Sequence, residues 1–301
     1  AQLSSLLVMF ALVILLVEGM YRSKMRYYDS SRGGSAPVRI HLEGWKARSA
    51  TLYCSAVLFI GFILPLIQLI LWSIEVVRTG ESIDLTEQII RTLILGGSAA
   101  LLICFASILL SYAKRRSTNK KTLLLCRLAT IGYALPGTVL AVGIFLPIAW
   151  LDNNAQQLIF MLFNLEIGPV LQGTVLVVLG AYLVRFLAVG FGSIDSAMQN
   201  IKPSLDEAAA ILGKTSVQTL RKIHFPLLRK GILTALVLCS IDVIKEMPIT
   251  LMTRPFGWDT LAVKIYELTS EGEWIRAAQP GLFLVIAGII PVFILIQRME
   301  K

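Results

Sequence analysis

The chain reads as an all-α, polytopic helical membrane protein. Of its 301 residues, 56% are hydrophobic and only 16% charged, against about 25% charged in soluble domains. The mean hydropathy is +0.74. The apolar residues are gathered into continuous runs of about 20, the length a helix needs to cross a bilayer core. The same figures exclude a soluble enzyme, a disordered chain and a disulfide-stapled secreted module. An outer-membrane barrel is excluded because its strands alternate apolar and polar residues.

Seven apolar segments have the length of a span, at roughly 3–21, 51–74, 92–113, 128–150, 170–192, 231–252 and 279–297. The stretch 155–165 (AQQLIFMLFNL) is too short to cross and is expected to lie at an interface or to re-enter partway. The alternate loops differ sharply in charge. Segments 22–50, 114–121, 193–230 and the C-terminal tail carry twenty Lys and Arg, whereas the other loops carry five: Arg78, Arg91, Arg254, Lys264 and Arg276. By the positive-inside rule the first group is cytoplasmic, which puts the C-terminus inside and Ala1 outside. The net charge of +9 is thereby accounted for without nucleic acid.

The chain opens at Ala1 inside an apolar run and is read as the C-terminal part of a longer polypeptide. Residues 1–21 form an extra span, and 22–50, with Ser30, Ser31, Gly33, Gly34, Ser35 and Pro37, form a flexible cytoplasmic linker. Residues 51–301 form a six-span block. The four cysteines, Cys54, Cys104, Cys126 and Cys239, lie in or beside apolar runs without C-x-x-C spacing, so buried thiols are expected rather than disulfides or metal ligands.

The cytoplasmic loop 193–230 is long and locally well specified. Ser204 is expected to cap a helix, with Glu207 three residues on as in a capping box. Glu207-Ala208-Ala209-Ala210-Ile211-Leu212 favours helix, and Gly213 is placed to stop it. Thr215 begins a second helix with Gln218 at the capping-box position, running to about Ile223 and followed by Pro226. A helix-turn-helix DNA reader is set aside, because spans flank the pair on both sides. Gly213-Lys214-Thr215 imitates the end of a P-loop, but Ala208 stands where that motif requires Gly, and a helix precedes it instead of a strand. What fits is a docking element for a soluble partner.

Glu207-Ala208-Ala209, three residues, Gly213, nine residues, then Ile223-His224-Phe225-Pro226 resembles the EAA loop of binding-protein-dependent ABC importer permeases. Phe225 is the one mild departure, and the resemblance covers 51–301. It implies a permease in a bacterial inner membrane, working with a pair of ATPase subunits, a second permease half (fused or separate) and an extracytoplasmic solute-binding protein. It further implies that Glu207, Ala208, Ala209, Gly213, Ile223 and Pro226 couple to the ATPase. Taken alone, Glu207 also reads as an ordinary cap partner. The chain would catalyse no chemistry and bind no cofactor, ATP being held by the partner subunit.

The segment 231–252 places Asp242, Lys245 and Glu246 within a span. A charge at a helix centre costs about 2.5–3.5 kcal/mol on insertion scales, so such residues face a bundle interior. Spacings of three and four put Lys245 and Glu246 within reach of Asp242, and Pro248 interrupts the helix just beyond. The group reads either as lining of a translocation path or as a self-neutralised structural cluster. The run from Asp242 to Ala262, with Tyr133-Ala134-Leu135-Pro136-Gly137-Thr138-Val139-Leu140-Ala141, resembles ferric-iron permeases within the family. Related thiamine, phosphonate, sulfate and polyamine permeases share much of this pattern. A proton-coupled secondary transporter is the rival class, and the EAA-type loop distinguishes the two. No metal-ligand cluster stands out, with His41 and His224 both on the cytoplasmic side. Arg185 and Arg254 fit either an anion or structural pairing, and the outer segment 253–278, with Trp258, Asp259, Glu267, Glu271, Glu273 and Trp274, reads either as a docking rim or as interfacial anchors.

Overall fold

The structure, a computed structural model, describes Met9, Val13 and residues 42–117, 119–165 and 168–299, and every regular element among them is helical. They belong to two compact units divided between Ser82 and Ile83. The expected span 3–21 and the linker residues 22–41 lie outside the described residues, apart from Met9 and Val13.

The first unit contains α1, Gly44–Thr79. A single π turn, Phe59–Ile63, interrupts it just before Pro65, which has no N–H to give to the helical ladder. This helix encloses the expected span 51–74 and extends it at both ends.

The second unit begins with α2 (Thr86–Arg116), α3 (Lys120–Ala129), a 3₁₀ turn (Ile131–Ala134) and α4 (Gly137–Phe163). It continues with α5 (Val175–Gln199), α6 (Pro203–Ile211) and α7 (Ser216–Thr219), which runs through a π turn (Leu220–His224) into α8 (Phe225–Leu227). The remaining helices are α9 (Arg229–Ile244), α10 (Pro248–Thr253), α11 (Leu261–Ser270) and α12 (Trp274–Met299).

Among the described residues, five helices are long and apolar enough to cross a membrane: α1, α2, α4, α5 and α12 over Trp274–Gln297. Three expectations are corrected. The span expected from 128 starts at Gly137 instead, because Pro136 disfavours helical geometry at Leu135, whose ψ is 141°. The stretch 155–165 is not a separate element, since α4 continues without a break to Phe163 and ends where Asn164 turns left-handed at φ 51°. The segment 231–252 is no continuous span: α9 ends at Ile244, Lys245–Met247 lie between helices, and Pro248 opens α10 rather than breaking α9.

Helices α2, α5 and α9 meet around one core. Leu95 and Ile103 interlock there with Val178, Tyr182, Phe186, Cys239 and Val243, and Ala99, Ala100 and Ala181 let the backbones approach closely. Between helices in lipid there is little apolar transfer to gain, so such small-residue contacts and dispersion carry the association. Large side chains such as Leu101, Phe105, Leu176 and Phe293 point outward, as on a lipid-facing surface. Cys104, Cys126 and Cys239 are buried as expected; Cys54 is exposed on α1.

Candidate functional site

The loop between α5 and α9 carries a pair of short helices tied to the end of α2. Lys202, not Ser204, occupies the N-cap of α6; it carries no side-chain cap bond, and Pro203 supplies the first turn. Proline pre-sets φ for that position and has no N–H to leave unsatisfied, so it displaces the serine from the cap. The C-terminus follows the expected stop. Gly213 has φ 67°, its N–H donates to Ala210 O (3.0 Å), and the Lys214 N–H donates to Ala209 O (3.0 Å). This is the Schellman arrangement, and the missing Cβ makes its left-handed residue cheap. Thr215 and Gln218 form the expected reciprocal capping box at the start of α7.

Four residues at no fixed position of the recognised pattern, Arg115, Asp206, His224 and Tyr112, hold this pair in place. Arg115, in the last turn of α2, donates from Nε (2.9 Å) and Nη2 (2.6 Å) to Asp206 Oδ2, and from Nη1 and Nη2 to the carbonyls of Met198 (2.7 Å) and Ile201 (3.0 Å). His224 is fully buried with its Nε2 2.7 Å from the other oxygen of Asp206. An ionised carboxylate only accepts, so that nitrogen carries the proton. Partial burial raises the pKa of Asp206, but the hydrogen bonds from Arg115 and His224 outweigh it and hold the carboxyl below the usual aspartate range. Tyr112 stacks edge-on to His224 at 5.5 Å and donates to Ser216 O at 2.8 Å. The only sequence signal for Asp206 is an acid in a helix first turn; Arg115 and His224 had none, because their partners lie 91 and 18 positions away.

With its neighbours tied down, the outer face of the pair is free. Glu207 and Ala208 are exposed and Ala209 is buried beneath them. Beside them Ile211, Leu212 and Val217 are 86%, 74% and 72% exposed, an apolar surface on the outer side of the pair. Ile223 is half-buried, and Pro226 lies exposed within α8.

The intramembrane charges divide differently from the expected single cluster. Lys245 Nζ pairs with Asp242 Oδ1 at 2.8 Å and is largely exposed. Glu246 turns instead to Arg185 of α5, with Oε2 3.2 Å from its Nε, and both side chains are largely buried. The helix unwinds at Lys245, so residue 246 no longer lies one turn above residue 242. Glu246 also caps the new helix: Oε1 accepts from the Ile249 N–H (3.3 Å), and its backbone carbonyl accepts from the Thr250 hydroxyl (2.6 Å). Tyr182 reaches that same hydroxyl at 2.5 Å. At the break the Ile249 N–H and the Glu246 carbonyl are thus answered by Glu246 and Thr250, whose side chains in turn meet Arg185 and Tyr182.

Along the segment 253–278, Arg254 is paired internally, to Asp259 and to Glu267 (3.3 Å). Trp258 packs against the core with Arg91 over its ring, and Glu273 pairs with Arg276 (2.5 Å). Trp274 is exposed, and so is Phe256, fully.

A multi-pass helical membrane subunit that presents a clamped helical hairpin and a broken, charge-capped helix is the class these features define. Residues 103–301 match the family described as "Binding-protein-dependent transport system inner membrane component", and the chain belongs to that family. It is similar to the Fe(3+)-transport system permease protein FbpB 2 of Haemophilus influenzae, 23% identical over 299 residues, 98% of this chain and 56% of that protein. A Salmonella typhimurium protein assigned by name to 2-aminoethylphosphonate transport, PhnV, is 30% identical over 135 residues, 44% of this chain and 49% of that protein. The chain thus spans about half the length of these curated relatives. In fold it is similar to a bacterial alginate ABC transporter solved in complex with an alginate pentasaccharide-bound periplasmic protein, at a TM-score of 0.63 and 19% identity, covering 82% of this chain and 92% of that one.

Proposed function

We propose that this chain is a permease half of an ATP-driven importer, moved by a separate ATPase pair through the α6–α7 hairpin. The observation that carries the reading is the hairpin itself. Arg115, Asp206 and His224 lock its inner side to α2 and to the end of α5, while Glu207, Ile211, Leu212 and Val217 stand free on its outer side. A push on that outer face reaches two spanning helices without loss in a floppy joint. Glu207 supplies a charge-assisted contact to the ATPase, Ala208 and Ala209 permit close approach, and Gly213 makes the turn; Ile223 and Pro226 carry the loop back toward α9. The chain itself performs no chemistry and holds no cofactor, and ATP is hydrolysed by the partner. Its C-terminus lies on the cytoplasmic side.

Asp242, Lys245, Glu246 and Pro248 mark the translocation path at the break between α9 and α10. Buried charge at a broken helix is tolerated in a bilayer where it meets other protein or a polar cavity. An extracytoplasmic solute-binding protein delivers cargo, supported by the family's description and by the periplasmic protein bound to the alginate neighbour. The cargo is ferric iron, supported by a relative of that name which aligns along 98% of this chain, whereas the phosphonate relative aligns along 44%.

The deciding experiment is co-purification of the full-length polypeptide with its co-expressed ATPase, with and without Glu207→Lys. Capture that depends on Glu207 supports the coupling role, and unchanged capture removes it. Uptake of labelled ferric iron against 2-aminoethylphosphonate by the complete transporter then decides the cargo.

A further inference from the structure

A cavity of about 450 Å³ opens between the cytoplasmic end of α2 and the α6–α7 hairpin, lined by Arg115, Arg116, Asp206, Lys214, Ser216 and Thr219 among others. Three cations face one acid there. Asp206 is already engaged by Arg115 and His224, and Arg115 spends its remaining donors on Met198 and Ile201. The positive charge left over belongs to Arg116 and Lys214, both exposed. Among the described residues Arg116 hydrogen-bonds to two neutral hydroxyls, those of Tyr112 (3.3 Å) and Ser216, and lies over the Tyr112 ring. Neither cation belongs to an ion pair of the described residues. A guanidinium fork, an ammonium and a serine hydroxyl around one cavity are the donors that the several oxygens of a phosphate group use.

We infer that this cavity binds a phosphate-bearing anion, and that the bound group ties the end of α2 to the turn before α7. Helix α3 follows α2 after three residues and exposes Leu124, Leu125 and Leu128 together with Lys120, Lys121 and Arg127. Basic pockets on the cytoplasmic side of spanning helices take anionic headgroups. The anion can come from an inner-leaflet phospholipid or from free phosphate, and the two sources are separable.

The test titrates the full-length protein in neutral detergent with dihexanoylphosphatidylglycerol and, separately, with inorganic phosphate, followed calorimetrically. Saturable binding is expected, weakened about fivefold by Arg116→Gln and about fivefold by Lys214→Gln, from about 1 kcal/mol per basic residue near an anionic headgroup. Lys222→Gln, a surface lysine outside the cavity, leaves binding unchanged. Binding of the phosphatidylglycerol alone assigns a lipid headgroup, and binding of inorganic phosphate with the same variant dependence assigns a soluble anion. Absence of saturable binding by both probes overturns the site, as does an equal loss in the Lys222 variant. Should Arg116→Gln fail to fold, Lys214→Gln decides, because Lys214 stands exposed at the cavity mouth.

Discussion

Arg115 and Asp206 are joined by two hydrogen bonds to a single carboxylate oxygen, from Nε at 2.9 Å and Nη2 at 2.6 Å. That contact links the last turn of α2 to the first turn of α6. With 37% of the Asp206 side chain exposed, solvent screens part of its strength. Asp206→Asn is expected to lower stability by about 1–2 kcal/mol, since His224 keeps a partner and Arg115 loses its charge complement. Thermal unfolding of the purified protein measures this, and transport should fall further than stability does.

The same carboxyl sets a pH dependence. Its pKa in the folded protein lies below its unfolded value, so its stabilising effect is complete above the ordinary aspartate pKa of about 3.9 and is lost as pH falls through the lower, folded value. The stability difference between the natural protein and Asp206→Asn should therefore be flat from neutral pH down to about 5 and shrink below about 4. A difference that grew on acidification would contradict the assignment.

Gly213→Pro should uncouple transport while leaving membrane insertion intact. Proline cannot adopt φ 67°, and it removes the N–H that Ala210 O accepts, so the turn is lost at a local cost of about 3 kcal/mol. Uptake assays together with a membrane-fraction blot separate the two effects. The hairpin lies outside the bilayer, so insertion has no reason to suffer.

Within the membrane, Arg185→Ala or Glu246→Ala alone should cost about 3–5 kcal/mol, each leaving a buried charge without its partner. The double variant should cost less than the sum of the two. A double-mutant cycle on unfolding temperature reads the coupling directly.

Lys245→Ala should change stability by less than about 1 kcal/mol, because the side chain is 61% exposed and its pair with Asp242 is screened. Asp242→Ala should alter transport without altering ATPase capture. A variant of Asp242 that only lowers folded yield would make this pair a structural one.

The amino-acid sequence by itself determined the properties that depend on near neighbours. Runs of about 20 apolar residues specify membrane helices, and among the described residues five of them stand as helices long and apolar enough to cross. The spacing from Glu207 to Pro226 specified the hairpin, down to Gly213 as its stop and Thr215 with Gln218 as its second cap, because helix caps are made within four residues. The tertiary structure decided what distant groups must settle between them. It carried α4 through to Phe163 and turned Glu246 from Asp242 to Arg185. It also joined Asp206 to an arginine 91 residues away. Hydropathy says which side chains leave water, but a buried polar atom takes whichever partner the packed helices bring within 3 Å, and no local pattern records that choice.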